Sequence, residues 1–301
     1  MIKRLCQHLY FLKWYAQIRF LRKRKPLQTV LFISDLCNLR CKHCCIYNDH
    51  NPNIKSYDTI ASELERVYRM GSRFVDFEGG EPFLWKDGNR NVNDLFDLAR
   101  DMGFFSTTVT TNAQISFEPC CSDLVWVSLD GLGKYHDAIR GDGAFAKLEK
   151  NVDLSSHPYL NANMVINRLN WQSVEETIQY VADSPKFHLI SLNFHTPFPG
   201  TESLELDWET RCKVIDRILE LRKKGAPLMN TAGGLRRMKN LDFAKKCWIA
   251  NFVMTDGSFH EQCQGQEAGV CDRCGFGMAG EMKGVYDLRL ETILAGLKVR
   301  M

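Results

Sequence analysis

Cys37-Asn38-Leu39-Arg40-Cys41-Lys42-His43-Cys44 sets three thiols in a C-x3-C-x2-C spacing directly after the apolar run Val30-Leu31-Phe32-Ile33. A short apolar run of this kind reads as a buried strand, which puts the cysteines on the loop at its C-terminal end. Three closely spaced thiolates can hold three corners of a cubic iron–sulfur cluster and, with no fourth ligand nearby, leave one iron open. A zinc or ferredoxin-type site is the alternative reading, although this spacing is uncommon for zinc.

Outward from that loop, short apolar or β-branched runs alternate with longer helical patterns. Strands are expected at 29–34, 73–78, 105–111, 124–129, 161–167 and 188–194, with helices over about 57–70, 91–102, 144–154, 171–183 and 206–224. The alternation predicts an α/β fold, a partial (β/α)6 TIM-like barrel built on a parallel sheet. Gly225-Ala226-Pro227 breaks the last long helix, so the barrel is expected over 29–226 and a second region over 227–301. In that region 248–262 reads as a hairpin turning at Asp256-Gly257. At 301 residues, 45% hydrophobic and 25% charged, the chain has the composition of a globular enzyme, without low-complexity tracts or repeats.

The twelve cysteines cluster at 37/41/44/45 and 247/263/271/274 and do not spread as a disulfide framework would. With no secretory signal, a reducing cytoplasmic setting in which thiolates bind metal is expected. Cys6, Cys45, Cys120, Cys121 and Cys212 read as buried apolar residues. Residues 1–25 carry eight Lys/Arg and no acid, leaving 31 basic against 36 acidic residues downstream. This arm (1–28) predicts an amphipathic helix closed by Pro26, with Ile2, Leu5, Leu9, Leu12, Ala16 and Phe20 as one stripe flanked by Tyr10, Phe11, Trp14 and Tyr15. Its charges exclude a membrane span. It suits either peripheral contact with an anionic membrane or packing on the barrel exterior. Nucleic acid is not an expected partner, since no second basic patch with interleaved aromatics is present.

Several motifs fall at strand ends. Gly79-Gly80-Glu81-Pro82 follows the second strand, where glycines permit close backbone approach, Glu81 offers a carboxylate and Pro82 stiffens the turn. Thr110-Thr111-Asn112 ends the third strand and Ser128-Leu129-Asp130-Gly131 the fourth, followed by His136-Asp137-Ala138-Ile139-Arg140-Gly141 and Gly143-Ala144-Phe145. Singly each is a turn or a cap. In this order over residues 29–200 they resemble the motifs of the radical S-adenosylmethionine (SAM) superfamily. The resemblance implies a [4Fe-4S] cluster on Cys37, Cys41 and Cys44 whose open iron is chelated by SAM. It further implies that the Gly79, Gly80, Glu81, Pro82 turn binds the SAM amino group. Asn112 belongs to the same set of strand-end residues, and Ser128, Asp130 and Arg140 would contact its ribose or carboxylate. His43 stands where the family usually carries an aromatic residue against adenine. Asn167 and Asn170 resemble an asparagine-bearing segment after the fifth strand, or serve the loop itself.

The implied activity is reductive cleavage of SAM to a 5′-deoxyadenosyl radical that abstracts hydrogen from a substrate. That substrate is a small molecule, a lipid or isoprenoid at a membrane, or a peptide, and Phe194, His195 and Phe198 would line its cavity. A flavodoxin- or ferredoxin-type reductase is the implied electron donor. A non-enzymatic electron-transfer module is the reading from another class. Cys247-x15-Cys263-x7-Cys271-x2-Cys274, with Gly257 shortly before its second cysteine, resembles the short twitch form of the SPASM auxiliary-cluster region. It implies a second [4Fe-4S] cluster for electron transfer or pocket shaping, with a closed zinc site as the alternative.

Overall fold

The computed structural model describes residues 2–46 and 51–300, with side chains over 6–46 and 51–298. Helix α1 (Ile2–Arg19) precedes β1 (Gln28–Ser34), α2 (Tyr57–Met70) and β2 (Phe74–Gly79). A small antiparallel pair, β3 (Lys86–Asp87) and β4 (Arg90–Asn91), leads into α3 (Val92–Asp101) and β5 (Ser106–Thr111). Next come β6 (Leu124–Ser128), α4 (Lys134–Arg140), α5 (Ala144–Leu154), β7 (Leu160–Ile166), α6 (Val174–Asp183), β8 (Phe187–Phe194) and α7 (Trp208–Lys223). The C-terminal part holds α8 (Ala232–Arg237), β9 (Ala250–Val253), β10 (Phe259–His260), α9 (Gly277–Tyr286) and α10 (Leu290–Arg300).

The main sheet runs β10-β9-β1-β2-β5-β6-β7-β8. Every pairing from β9 to β8 is parallel, and β10 pairs antiparallel with β9. Strands β1, β2, β5, β6, β7 and β8 follow chain order with helices between them, the pattern of six β-α units. Side chains alternate along these strands. Leu31, Ile33, Val75, Phe77, Val109 and Val127 enter the core shared with the outer helices. Val30, Phe32, Glu78, Thr110, Trp126 and Asn163 instead line the lumen.

Local signals set the helices. Ser56 caps α2 by accepting from Thr59 N (3.2 Å), Ile60, Leu64 and Val67 give the helix its buried stripe, and Gly71 ends it at φ +124°. Asn91 and Asp94 form a capping box on α3. The anticipated hairpin is present as β9 and β10, turning through Gly257 at φ +82°.

Three expectations change. Helix α1 ends at Arg19, well before Pro26, because Arg22 adopts a left-handed backbone (φ +52°) that stops it. Cys6, Cys45 and Cys121 are exposed. On α1 the aromatic flank is the packing side. Tyr10 donates to Gly71 O, Phe11 stacks on Phe74, and Trp14 Nε1 donates to Lys25 O (2.9 Å), while Trp14 and Ile18 cluster with Trp248 and Ile249. Phe74 opens β2 and Phe105 precedes β5, so the helix crosses the N-terminal end of the barrel, opposite the cysteine loop. Leu9, Leu12, Ala16 and Phe20 of the anticipated stripe are left exposed; the side chains of Ile2 and Leu5 lie outside those described.

Candidate functional site

The loop after β1 carries Cys37, Cys41 and Cys44, and all three line one cavity of about 950 Å³ inside the barrel. The loop is anchored by Lys42 N donating to Ile139 O (2.9 Å) and Cys44 N to Cys41 O (3.0 Å). Each sulfur meets a donor. Leu39 N (3.4 Å) and Asn112 Nδ2 (3.6 Å) reach Cys37 Sγ, Arg140 Nη1 reaches Cys41 Sγ (3.8 Å), and Ile46 N reaches Cys44 Sγ (3.4 Å). Burial pushes the Cys41 thiol up to about 11 and raises Cys37, against which Arg140 and the Leu39 N–H act respectively. Thiols in such a setting lose their protons when a metal takes the sulfur. Among the described residues, no three His, Cys, Asp or Glu groups converge as closely as a single ion requires. A cubane cluster holds its thiolates farther apart, and donors aimed at sulfur suit it, so the residues fit that group.

The turn after β2 is built by close approach. A Cβ on Gly79 would stand 2.1 Å from Ser34 O, and one on Gly80 2.2 Å from Leu36 O. Their absence lets Gly80 N donate to Ser34 O (2.8 Å) and Glu81 N to Leu36 O (2.8 Å). The glycines thus press β2 against the chain entering the cysteine loop, while both still line the cavity. Glu81 is fully buried and turned away from it, accepting from Asn112 N (2.7 Å) and Thr111 Oγ1 (2.9 Å), with Pro82 buried beside it. Its carboxylate therefore sets the end of β5 and, through it, Asn112, which lines the cavity.

Ser128 and Arg140 line the cavity; Asp130 lies behind Arg140. Asp130 accepts from Arg140 Nε (2.8 Å) and Val165 N (2.8 Å), and its backbone N–H donates to His136 Nδ1 (3.1 Å). Burial pushes its carboxyl up, but Arg140, His43 and His136 together hold it below its ordinary value. Arg140 is held above its ordinary value, since Asp130 and Cys41 outweigh its burial. His43 lines the cavity 3.7 Å from Asp130. Burial takes it down to about 4 against the pull of Asp130, and its Nδ1 is buried without a hydrogen-bond partner. It is a neutral imidazole, free to stack on a planar ligand.

Phe194, His195 and Phe198 also line the cavity. Asn167 and Asn170 serve the loop instead, Asn170 Nδ2 donating to Asp130 O and Val165 O (both 3.0 Å). The sequence reading missed Glu78, Asn163, Ser191, Asn193 and Glu281 on the wall. Strand alternation could have found the four on β2, β7 and β8; Glu281 sits on α9, a glycine-rich helix with no clear period.

Cys247, Cys263 and Cys271 line a second cavity of about 440 Å³, with Cys274 buried behind them. Burial and the mutual proximity of the thiols take Cys247 up to about 12, and burial takes Cys274 to about 11. The Cys271–Cys274 turn is fastened to β8. Gly275 N donates to Thr196 Oγ1 (2.9 Å), Phe194 N to Gly275 O (2.9 Å), and Gly277 N to Asn193 Oδ1 (2.9 Å). Arg211 Nη2 caps Cys274 O (2.8 Å), its guanidinium lying over Phe194 and Trp208. Cys263 lines both cavities.

A family model for the radical SAM superfamily matches residues 31–181, half of the chain, and the chain belongs to that superfamily. Its members bind a [4Fe-4S] cluster and SAM. GTP 3′,8-cyclase of Clostridium botulinum is 25% identical over 196 residues, covering 58% of this chain and 57% of its own. A cysteine-type anaerobic sulfatase-maturating enzyme of Clostridium novyi is 26% identical over 175 residues, covering 49% and 45%. The chain thus spans about half the length of such relatives. Among solved structures, Streptococcus suis SuiB bound to SAM superposes with a TM-score of 0.65 at 16% identity over 93% of this chain and 70% of that one. SuiB bound to its precursor peptide SuiA gives 0.63 at 15%, over 93% and 69%. These likenesses show a shared fold. No helix among the described residues is long and apolar enough to cross a membrane.

Proposed function

We propose that this chain is a radical SAM enzyme whose reaction takes place in the barrel lumen. The observation that carries the reading is the set of Cys37, Cys41 and Cys44, each sulfur facing a hydrogen-bond donor, at a cavity that also exposes Asn112, Ser128 and Arg140. A cluster held by Cys37, Cys41 and Cys44 would, when reduced, supply the electron for reductive cleavage of SAM, the chemistry by which a hydrogen atom would be taken from a substrate carbon. The chain's own residues hold and orient the ligand. Arg140, fixed by Asp130, presents a cation for the SAM carboxylate. Ser128 and Asn112 offer polar contacts, and the His43 ring offers a stacking face for adenine. The largely apolar lumen excludes water from the radical.

The C-terminal cysteines are proposed to hold a second [4Fe-4S] cluster within a unit spanning 227–301, beside the barrel unit of 29–226. Cys263 lines both cavities, which supports a site next to the lumen, suited to electron transfer or shaping of the pocket. An external flavodoxin- or ferredoxin-type protein is the proposed electron donor. A peptide substrate is the second reading, favoured by the likeness to SuiB.

The test is anaerobic reconstitution, an iron count and an assay for 5′-deoxyadenosine in wild type and in the Cys37→Ala/Cys41→Ala/Cys44→Ala variant. Unchanged 5′-deoxyadenosine in that variant would refute the assignment.

A further inference from the structure

The lumen does not end beneath the cysteine loop. From Cys37, Cys41 and Cys44 its wall passes Trp126 and Val30, continues along Met278, Met282 and Val285 of α9, and reaches α1 and α10 at the opposite end of the barrel. There Phe11, Leu12 and Tyr15 of α1 face Ile293, Gly296 and Leu297 of α10. Ser128, Asn163 and Asn193 lie near the cysteines, and toward the lower end a mostly apolar wall is interrupted by His8, Gln28, Asp76 and Thr292. The acids on the wall are turned to protein partners. Asp76 accepts from Gln28 and Thr108, Glu78 from Thr110 Oγ1 (2.5 Å), and Glu281 from Thr231 N (2.8 Å) and Oγ1 (2.9 Å). At about 950 Å³ the cavity lies near the top of the range of about 300–1,000 Å³ for small-molecule sites, which leaves room for a second, elongated ligand beside SAM.

The surface around the lower end is apolar too. Leu9, Leu12 and Phe20 on or just beyond α1 are 56%, 69% and 76% exposed, and Leu21 lies beside them. Across the opening, Leu288, Leu290 and Leu294 are more than half exposed. These seven are the majority of the twelve large exposed hydrophobics among the described residues, so the apolar surface is concentrated at one place. The same rim is basic. Lys13, Arg19, Arg22, Lys23 and Lys298 are exposed around it. Of the acids at this end, Asp287 is paired with Lys283 Nζ (2.6 Å), while Glu291 accepts from Gly233 N (3.0 Å) and keeps its charge, leaving the cations in excess. Exposed leucines and a phenylalanine ringed by an excess of cations match the interface of a bilayer carrying anionic lipid.

We propose that the α1–α10 face docks on an anionic membrane and that the substrate is a long-chain lipid, drawn through the lower mouth so that its apolar chain occupies the α9 side of the lumen. This rests on the radical SAM reading for the reaction but not for the binding. The upper polar groups would receive the functionalised end of the lipid beside SAM, and the lower channel would accept a methylene or isoprenoid chain of variable length.

Vesicle flotation tests the docking on the full chain without any turnover. Wild type is expected to float with phosphatidylcholine vesicles containing phosphatidylglycerol, and to stay down with phosphatidylcholine alone or at high salt. Lys13→Gln/Arg22→Gln/Lys23→Gln is expected to weaken partitioning roughly a hundredfold, at about fivefold per cation. Leu9→Glu/Leu12→Glu/Phe20→Glu should abolish it with an unchanged thermal melt, since all three side chains are exposed. Absence of wild-type flotation with anionic vesicles, or undiminished flotation of the leucine variant, overturns the docking.

The lumen is tested with phosphatidylglycerol bearing a diazirine near the end of an acyl chain. Crosslinks mapped by mass spectrometry to Trp126, Phe252, Met278 or Met282, and lost on Met282→Trp, support the channel; crosslinks confined to the surface of α1 and α10 overturn it. Loss of 5′-deoxyadenosine formation would sink the enzymatic reading while leaving both of these results standing, so the two can fail separately.

Discussion

Replacing Asp130 by asparagine removes one charge from a fully buried pair and leaves the shape of the side chain in place. The carboxylate has two roles, accepting from Val165 N through Oδ1 and from Arg140 Nε through Oδ2, each at 2.8 Å. An asparagine oxygen can keep the bond to Val165, but its amide N–H2 then faces the Arg140 N–H, donor against donor. Arg140 is itself only 9% exposed and cannot turn to solvent. Stranding one member of a buried pair costs about 3–5 kcal/mol, and because the Val165 bond survives we expect the lower figure, about 3 kcal/mol. For a chain of this size that is a fall of roughly 5 °C in melting temperature. Urea and thermal melts followed by far-ultraviolet circular dichroism at matched iron content would measure it. Arg140→Met added to the variant removes the stranded cation, so the double variant should be less destabilised than the sum of the singles. The pH dependence carries a sign. The native carboxyl is held below its ordinary value of 3.8, so its contribution is complete above about pH 4 and is lost as pH falls through the depressed native value. The gap between wild type and Asp130→Asn should therefore close in acid. A loss below about 0.5 kcal/mol at neutral pH, or strictly additive single variants, would refute the view that this pair fixes Arg140 at the cavity.

Gly275→Ala would put a methyl 1.9 Å from Phe194 O, which is backbone and cannot yield cheaply. Detachment of the Cys271–Cys274 turn from β8 should follow, read as faster proteolysis between 255 and 277 and, if the proposed second site is loaded, loss of its metal with iron on the first cysteine set retained. Glu78 is pushed up by burial to about 8 from 4.5, so its effect on stability has the opposite sign to that of Asp130. Wild type should lose stability as pH climbs from about 4.5 through 8, and Glu78→Gln should flatten that slope in urea melts. Cys247→Ser/Cys271→Ser should cut bound iron by about half if the second site holds a [4Fe-4S] cluster. Zinc released with no change in iron would instead identify the closed zinc site.

The barrel strands were legible because each is a short buried run whose neighbours are near in sequence, and the strand-end motifs fell where such runs stop. What escaped depends on pairing across the chain. Nothing in Ala250–Val253 says that it adds to β1 in parallel, 220 residues away. Helix α9 is poor in period because Gly277, Gly280 and Gly284 approach other backbone or side chains closely. Helix α4, at seven residues, is too short for two repeats of an apolar stripe. On α1 the stripe was visible but its partner was not. A helical wheel separates apolar from charged faces; it does not say which of two apolar faces meets protein, and the aromatic flank won because Trp14 and Tyr10 each satisfy a polar atom as they bury. That Glu81 and Asp130 hold their neighbours in place and do not face the cavity was likewise beyond reach, since a carboxylate that touches a ligand and one that holds its neighbour look alike in one dimension.

The pairing of β9 with β1 also fixes when the barrel can be completed. Thr29 Oγ1 meets Asn251 Oδ1 at 2.5 Å, and Leu27 N donates to Ile249 O at 2.8 Å. During synthesis the first strand must therefore wait for more than two hundred residues before its outer edge is covered, exposing a ladder of unsatisfied amides beside Val30 and Phe32. Ribosome-bound chains stopped before residue 250 would be prone to stick to one another through that edge, and expression in a chaperone-poor host should favour insoluble protein for this reason.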